Sequence, residues 1–269
     1  MRFLVLLLAV SVCRAAPAEI RDILKSAEIE ERLARAAGDS VLHERPHYSV
    51  RALVRSGPAA PAETHPDSDE ILFVRQGRAV ITLTPPAGQA ARLTVAAGDV
   101  VKIPARASHR IEPQEARFGA LALRVAAISA SVPTRQGIRP AERRMPDLLK
   151  KAEIDATFAK FDSNQPIHSA PNFTMNYVIY PGRGGPWEAH AGCVDVYFVQ
   201  TGTATAQIGG EIRNAKEDVP GEPRGDGVTG ARTHTIGSGD LVLIPRDTAH
   251  HMEPGAGKLG YILVKVWVD

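Results

Sequence analysis

The sequence predicts an all-β chain in which two barrels or sandwiches follow one another, each preceded by a short α-helix. Three observations carry this. Short β-rich segments alternate with Gly, Pro and Asp punctuation along most of the chain. The same pattern occurs twice at a nearly constant offset. The 269 residues suffice for two ordinary domains.

Residues 1–15 read as a signal peptide. Arg2 opens it, an apolar run broken only by Ser11 covers 3–12, and Cys13-Arg14-Ala15 has a small-x-small cleavage form. Val12 ahead of Cys13 argues against lipidation. The run is shorter than the roughly 20 residues of a membrane span, and no later stretch comes close. The expectation is a secreted or periplasmic protein without a membrane span. Cleavage would leave Cys193 as the single cysteine, so no internal disulfide is expected.

The repeat starts in the first predicted helix. Residues 22–29 (DILKSAEI) return as 147–154 (DLLKKAEI), an offset of 125. Apolar residues at three- and four-residue intervals predict helices over 20–36 and 145–161. At the same offset Gly57, Glu63, His65, Glu70 and Gly77 meet Gly182, Glu188, His190, Asp195 and Gly202. Further on the offset becomes 141. Gly98, Asp99, Pro104 and His109 meet Gly239, Asp240, Pro245 and His250. The second copy thus holds an insertion of sixteen residues between Ile208 and Ile236. Its stretch 216–232 is rich in Gly, Pro and charge, which predicts a solvent loop; a lid over a barrel mouth is the alternative. The units run over 18–140 and 141–269.

Strands are predicted at 49–54, 71–75, 79–83, 99–103 and 118–125, and in the second copy at 174–180, 194–199 and 259–268. The strand at 71–75 is apolar on both faces, with Leu72 and Val74 on the Glu70 side and Ile71 and Phe73 on the other. It therefore needs cover from the other barrel or from the helices.

Residues i and i+2 of a strand share a face, so Glu63 and His65, and likewise Glu188 and His190, can converge on one point. Glu70 or Asp195 opens the next strand, and His109 or His250 returns after a Pro-led turn. The candidate metal ligands are Glu63, His65, Glu70 and His109 in the first copy, and Glu188, His190, Asp195 and His250 in the second. Such an N/O donor set suits Mn, Fe, Zn, Ni or Cu, and two carboxylates tilt it toward Mn or Fe. Asp195 is one methylene shorter than Glu70 and reaches less far. His251 is expected to be exposed, His47 and His234 to lie in loops, and Cys193 to be a partly buried thiol. His43 and His168 match across the copies without a chemical role.

These spacings resemble the two motifs of the cupin superfamily, G-x5-H-x-H-x4-E-x6-G and G-x5-P-x-G-x2-H, over nearly the whole chain and twice. The resemblance implies tandem double-stranded β-helix (jelly-roll) barrels, a bicupin, with one divalent metal inside each. Two departures stand out. Glutamate replaces the first histidine in both copies, and Arg106 and Asp247 replace the glycine of P-x-G.

Lys+Arg 32 against Asp+Glu 30 gives a formal charge of +2. That lacks the basic excess of a nucleic-acid binder. No nucleophile elbow, P-loop or H-E-x-x-H is present. The resemblance leaves two functions: a metal enzyme of dioxygenase, decarboxylase or isomerase type on a small organic molecule, or a non-catalytic binding or sensing protein. No catalytic acid or base can be named from the sequence. Apolar strand faces leave a homo-oligomer open.

Overall fold

The computed structural model describes residues 22–127 and 143–268. The leader at 1–15 and the start of the first predicted helix lie outside them. Among the described residues no helix is long and apolar enough to cross a membrane.

Each half is a pair of antiparallel sheets. In the first, a six-stranded sheet runs in the order Leu148–Leu149, Val100–Ile103, Ser68–Gln76, Arg117–Ala126, Tyr48–Ser56, Ser40–Arg45. A four-stranded sheet of Glu63–Thr64, Ser108–Pro113, Arg78–Thr84 and Ala91–Ala96 packs against it. In the second half the six-stranded order is Ile23–Leu24, Leu241–Ile244, Cys193–Thr201, Leu259–Trp267, Phe173–Tyr180, Gln165–Ser169. Its partner sheet holds Arg224–Gly225, Trp187–Glu188, His250–Pro254, Thr203–Ile208 and Arg232–Gly237. This is the expected pair of jelly rolls in tandem.

Three apolar cores follow from strand alternation. Leu53, Leu72, Val74, Ala79, Ile81 and Ile111 fill the inside of the first half. Val178, Tyr197, Val199, Ala206, Ile236 and Met252 fill the second. The opposite faces of the large sheets meet in the third core, where Ile71 and Phe73 pack with Val196 and Phe198. The rings of Phe73 and Phe198 stack with centroids 3.4 Å apart. Ile29 and Leu33 of the helix Ser26–Arg35, and Ile154 and Phe158 of the helix Lys151–Lys160, cover the same core. Both expected sources of cover are therefore used.

The helices begin later than periodicity predicts. Ile23–Leu24 and Leu148–Leu149 are extended because each pair adds a strand to the other half. Ile23 and Leu24 face Val242 and Leu241; Leu148 and Leu149 face Val101 and Val100. Each helix start is then capped by the opposite half. The Asp240 carboxylate accepts from the Ser26 amide (2.7 Å), Lys25 Nζ (2.5 Å) and the Gly237 amide (2.9 Å). Asp99 does the same for the Lys151 amide (2.8 Å), Lys150 Nζ (2.7 Å) and the Ala96 amide (2.9 Å). Lys25 and Lys150 cannot accept a backbone N–H themselves, so the carboxylates supply what an N-cap side chain would.

Candidate metal centres

Short strands and one strained turn position each quartet. Glu63 lies directly opposite His109 across the sheet, and Glu188 opposite His250. Arg106 and Asp247 hold φ of 66° and 58°, the left-handed conformation that the replaced glycine would adopt freely. In that turn the Arg106 amide donates to the carbonyl of His65, and the Asp247 amide to that of His190, both at 2.8 Å. The turn thus pins the backbone of one histidine while leading to the other. Gly77 and Gly202 close the first motif with φ of 72° and 80°. A Cβ on either would come within 2.1 or 2.2 Å of a carbonyl oxygen, of Arg117 or of Lys258.

In the first half, Glu63, His65 and His109 offer ligand atoms that lie within 4.8 Å of one another. Glu70 joins them from the neighbouring strand. Its Oε2 is 3.5 Å from His65 Nε2 and 3.6 Å from His109 Nε2. Its Oε1 accepts from Arg124 Nε at 2.7 Å. Glu63 likewise takes Arg55 Nη2 on Oε1 at 2.7 Å. Glu70 is fully buried. Burial alone would raise its pKa, but contact with His65 and the Arg124 cation outweigh that and hold it at about 2. Burial lowers the pKa of His109 despite the Glu70 charge. Three buried atoms that face one another, His65 Nε2, His109 Nε2 and Glu70 Oε2, have no hydrogen-bond partner.

The second half repeats this with differences. Glu188, His190 and His250 form the group within 4.8 Å. Glu188 Oε1 is 3.9 Å from the Nε2 of each histidine, and its Oε2 pairs with Arg224 at 3.3 Å. His250 Nδ1 lies 3.0 Å from the Thr248 carbonyl, so it must carry the proton and leave Nε2 as a lone pair facing the site. The Nε2 atoms of His190 and His250 are buried without partners. Asp195 Oδ2 is 3.5 and 3.9 Å from them. Unlike Glu70, however, Asp195 is engaged through both oxygens, by Lys265 Nζ at 2.9 and 3.2 Å, by the Tyr197 hydroxyl at 3.1 Å and by the Cys193 thiol at 3.5 Å. Burial would raise its pKa; Lys265 and the two histidines hold it at about 2. Burial, reinforced by the Asp195 charge, pushes the Cys193 thiol far up, so it is an unreactive buried thiol.

Sequence reasoning missed Glu222. It lies on the inserted segment, which is not a plain solvent loop. That segment forms a hairpin, Glu211–Arg213 with Gly227–Thr229, and a short strand that pairs Gly225 and Arg224 with Trp187 and Glu188. Glu222 Oε2 is 2.5 Å from His190 Nδ1. A carboxylate on the outer nitrogen of a ligand histidine orients the ring and raises its basicity. Arg124 and Lys265 were missed as well. A lone basic residue at matching positions in two apolar strands was the signal available. His251 is half-buried rather than exposed, with its ring stacked on Trp187 at 4.7 Å. His234 lies in the strand Arg232–Gly237, not in a loop. His168 is buried and accepts the Met145 amide at 3.3 Å, while His43 bonds the Tyr48 hydroxyl at 2.9 Å.

Residues 51–118 match the family model described as Cupin domain. The first half of the chain thus carries a cupin domain. No curated protein matches the chain. Among solved structures, this chain is similar to the salicylate 1,2-dioxygenase of Pseudaminobacter salicylatoxidans, with 9% identity, 91% of this chain and 83% of that one covered, and a TM-score of 0.65. It is similar to a Cupin 2 conserved barrel domain protein from Leptotrichia buccalis, with 13% identity, 88% and 94% coverage, and a TM-score of 0.55. It is also similar to the oxalate decarboxylase of Lactobacillus farciminis, at 13% identity, 86% and 82% coverage, and a TM-score of 0.53. At these identities the likeness concerns the fold. In both halves the four motif positions come together, with glutamate at the first of them.

Proposed function

We propose that this protein is a metal-dependent enzyme acting on a small organic molecule, with Glu63, His65, Glu70 and His109 holding one divalent ion. The observation that carries the proposal is the set of three buried, mutually facing and unpartnered atoms in the first half, His65 Nε2, His109 Nε2 and Glu70 Oε2. Each would cost about 1–3 kcal/mol if left unsatisfied, and one cation would satisfy all of them. Two nitrogens and two carboxylates favour Mn or Fe over softer or copper-like sites. Such an ion supplies a Lewis acid or a redox centre. Arg124 helps to keep Glu70 ionised, and Arg55 and Arg124 fix the orientation of Glu63 and Glu70. Dioxygenase, decarboxylase or isomerase chemistry fits this arrangement; the dioxygenase and decarboxylase among its structural neighbours support the same range.

In the second half Glu188, His190, Asp195 and His250 are the corresponding ligands. The capture of Asp195 by Lys265 and Tyr197 favours a different role there, ligand binding or structural support without turnover. We also propose export, on the leader-like composition of residues 1–15.

Metal per chain, measured on the purified protein and on Glu63→Ala, His65→Ala and His109→Ala, tests the reading. Near-stoichiometric metal that falls in the variants supports it; no metal in any sample ends it. Oxygen uptake and product formation with phenols and dicarboxylates then separate an enzyme from a binder.

A further inference from the structure

A cavity of about 360 Å³ opens beside the first centre. His65 and Arg124 form part of its wall, so whatever fills it lies against the centre. Arg45, Arg51 and His47 also line it, together with Ser49 and Ser68; the acids on the wall are Glu44 and Asp67. The three guanidinium groups differ in what they already hold. Arg124 is neutralised by Glu70. Arg45 donates to the Glu44 carbonyl at its rim. Arg51 lies on the strand Tyr48–Ser56 and points inward, at the parity of Leu53 and Arg55. Its Nε is buried and has no hydrogen-bond partner.

A guanidinium is always charged and never accepts, so only an acceptor can relieve that buried N–H. Its planar fork matches a carboxylate through two parallel hydrogen bonds. We propose that the first half binds a small carboxylate-bearing organic molecule, with the carboxylate on Arg51 and the remainder directed toward His65. This deepens the functional reading above and rests on the first centre being the working one. Of the guanidinium groups on this wall Arg51 alone has a buried N–H without a partner, and with the Glu44 and Asp67 carboxylates on the same wall it suits a monoanionic carboxylate better than a phosphate dianion, which needs more positive charge. The second half lacks this feature. The position equivalent to Arg51 is Asn176, that of Arg55 is Tyr180, and Lys265 is held by Asp195. The two halves therefore differ in the ligand charge they accept.

Calorimetric titration of the full chain with benzoate, malonate, inorganic phosphate and uncharged benzamide tests the proposal, with metal content measured on every sample. The expected result is one site per chain for benzoate or malonate, no binding of benzamide, and affinity at least tenfold lower in Arg51→Gln. Arg51→Lys, which keeps the charge but loses the fork, should fall between, and thermal melting of both variants checks that they fold. Asn176→Ala should leave the affinity unchanged. Unchanged affinity in folded Arg51→Gln, equal binding of benzamide, tighter binding of phosphate, or no binding of either carboxylate would overturn it. The two claims remain separable. Arg51-dependent carboxylate binding by a chain without metal upholds the pocket and ends the enzyme reading. Bound metal with no Arg51-dependent binding does the reverse.

Discussion

Removing the Glu222 carboxylate should loosen metal at the second centre and leave the first untouched. Glu222 reaches His190 from the inserted segment through a 2.5 Å contact, with His190 buried and Glu222 mostly so. Burial would raise the pKa of Glu222, and the bond to His190 reverses that and holds it low. The interaction is therefore charge-assisted and worth about 1.5–3 kcal/mol. In Glu222→Ala His190 loses the group that fixes its ring and raises its basicity, so affinity at the second centre should fall roughly 10–100-fold. Glu222→Gln keeps an acceptor without the charge and should lose about half as much in free energy. Competition with a graded chelator, fitted to two sites per chain, reads the effect. Equal weakening of both centres, or none in either variant, would refute the reasoning that the insertion serves the second histidine cluster.

Other expectations follow from the fold. Asp240→Ala should cost about 2–4 kcal/mol in denaturant unfolding, because the Ser26 and Gly237 amides both lose their acceptor; Asp99→Ala should cost a similar amount, since Asp99 serves the Lys151 and Ala96 amides. Gly77→Ala should cost about 2 kcal/mol or more, since its φ of 72° and the Arg117 carbonyl 2.1 Å from the added Cβ both oppose it. Gly57→Ala, at φ 75° in open space, should cost only about 1–2 kcal/mol; equal losses in the two would contradict the close-approach argument. Burial, aided by Lys102, lowers the pKa of His168 to about 4. The unfolded chain, titrating near 6.5, binds more protons between these values. Stability should thus be full above pH 6.5, fall by up to about 3 kcal/mol as pH drops toward 4, and level off below. His168→Gln should reduce that slope, and an unchanged slope would contradict the assignment.

The duplicated pattern made both halves legible because short motifs set strand faces directly. Glu63 and His65 are two residues apart, and the turn before His109 is led by Pro104 in a fixed frame. The eight candidate ligands could be named without coordinates for that reason. Long-range events could not. Ile23–Leu24 and Leu148–Leu149 carry helical periodicity, and only pairing with the opposite half makes them strands. Glu222 has no counterpart in the first copy, so comparing the copies could not expose it. The left-handed turn at Arg106 and Asp247 hides behind residues that disfavour it, and the surrounding sheet imposes what glycine would permit. The lone Arg124 and Lys265 in apolar strands were visible, but their role depends on which strand lies beside them.

The central claim is that His65, His109, Glu70 and Glu63 converge to hold a cation. Anomalous diffraction from crystals of the purified chain, collected at the Mn and Fe edges, tests it most directly. The account predicts a peak bounded by those four side chains in the first half. An ordered chain with only water between His65 and His109, after incubation with either metal, would contradict it.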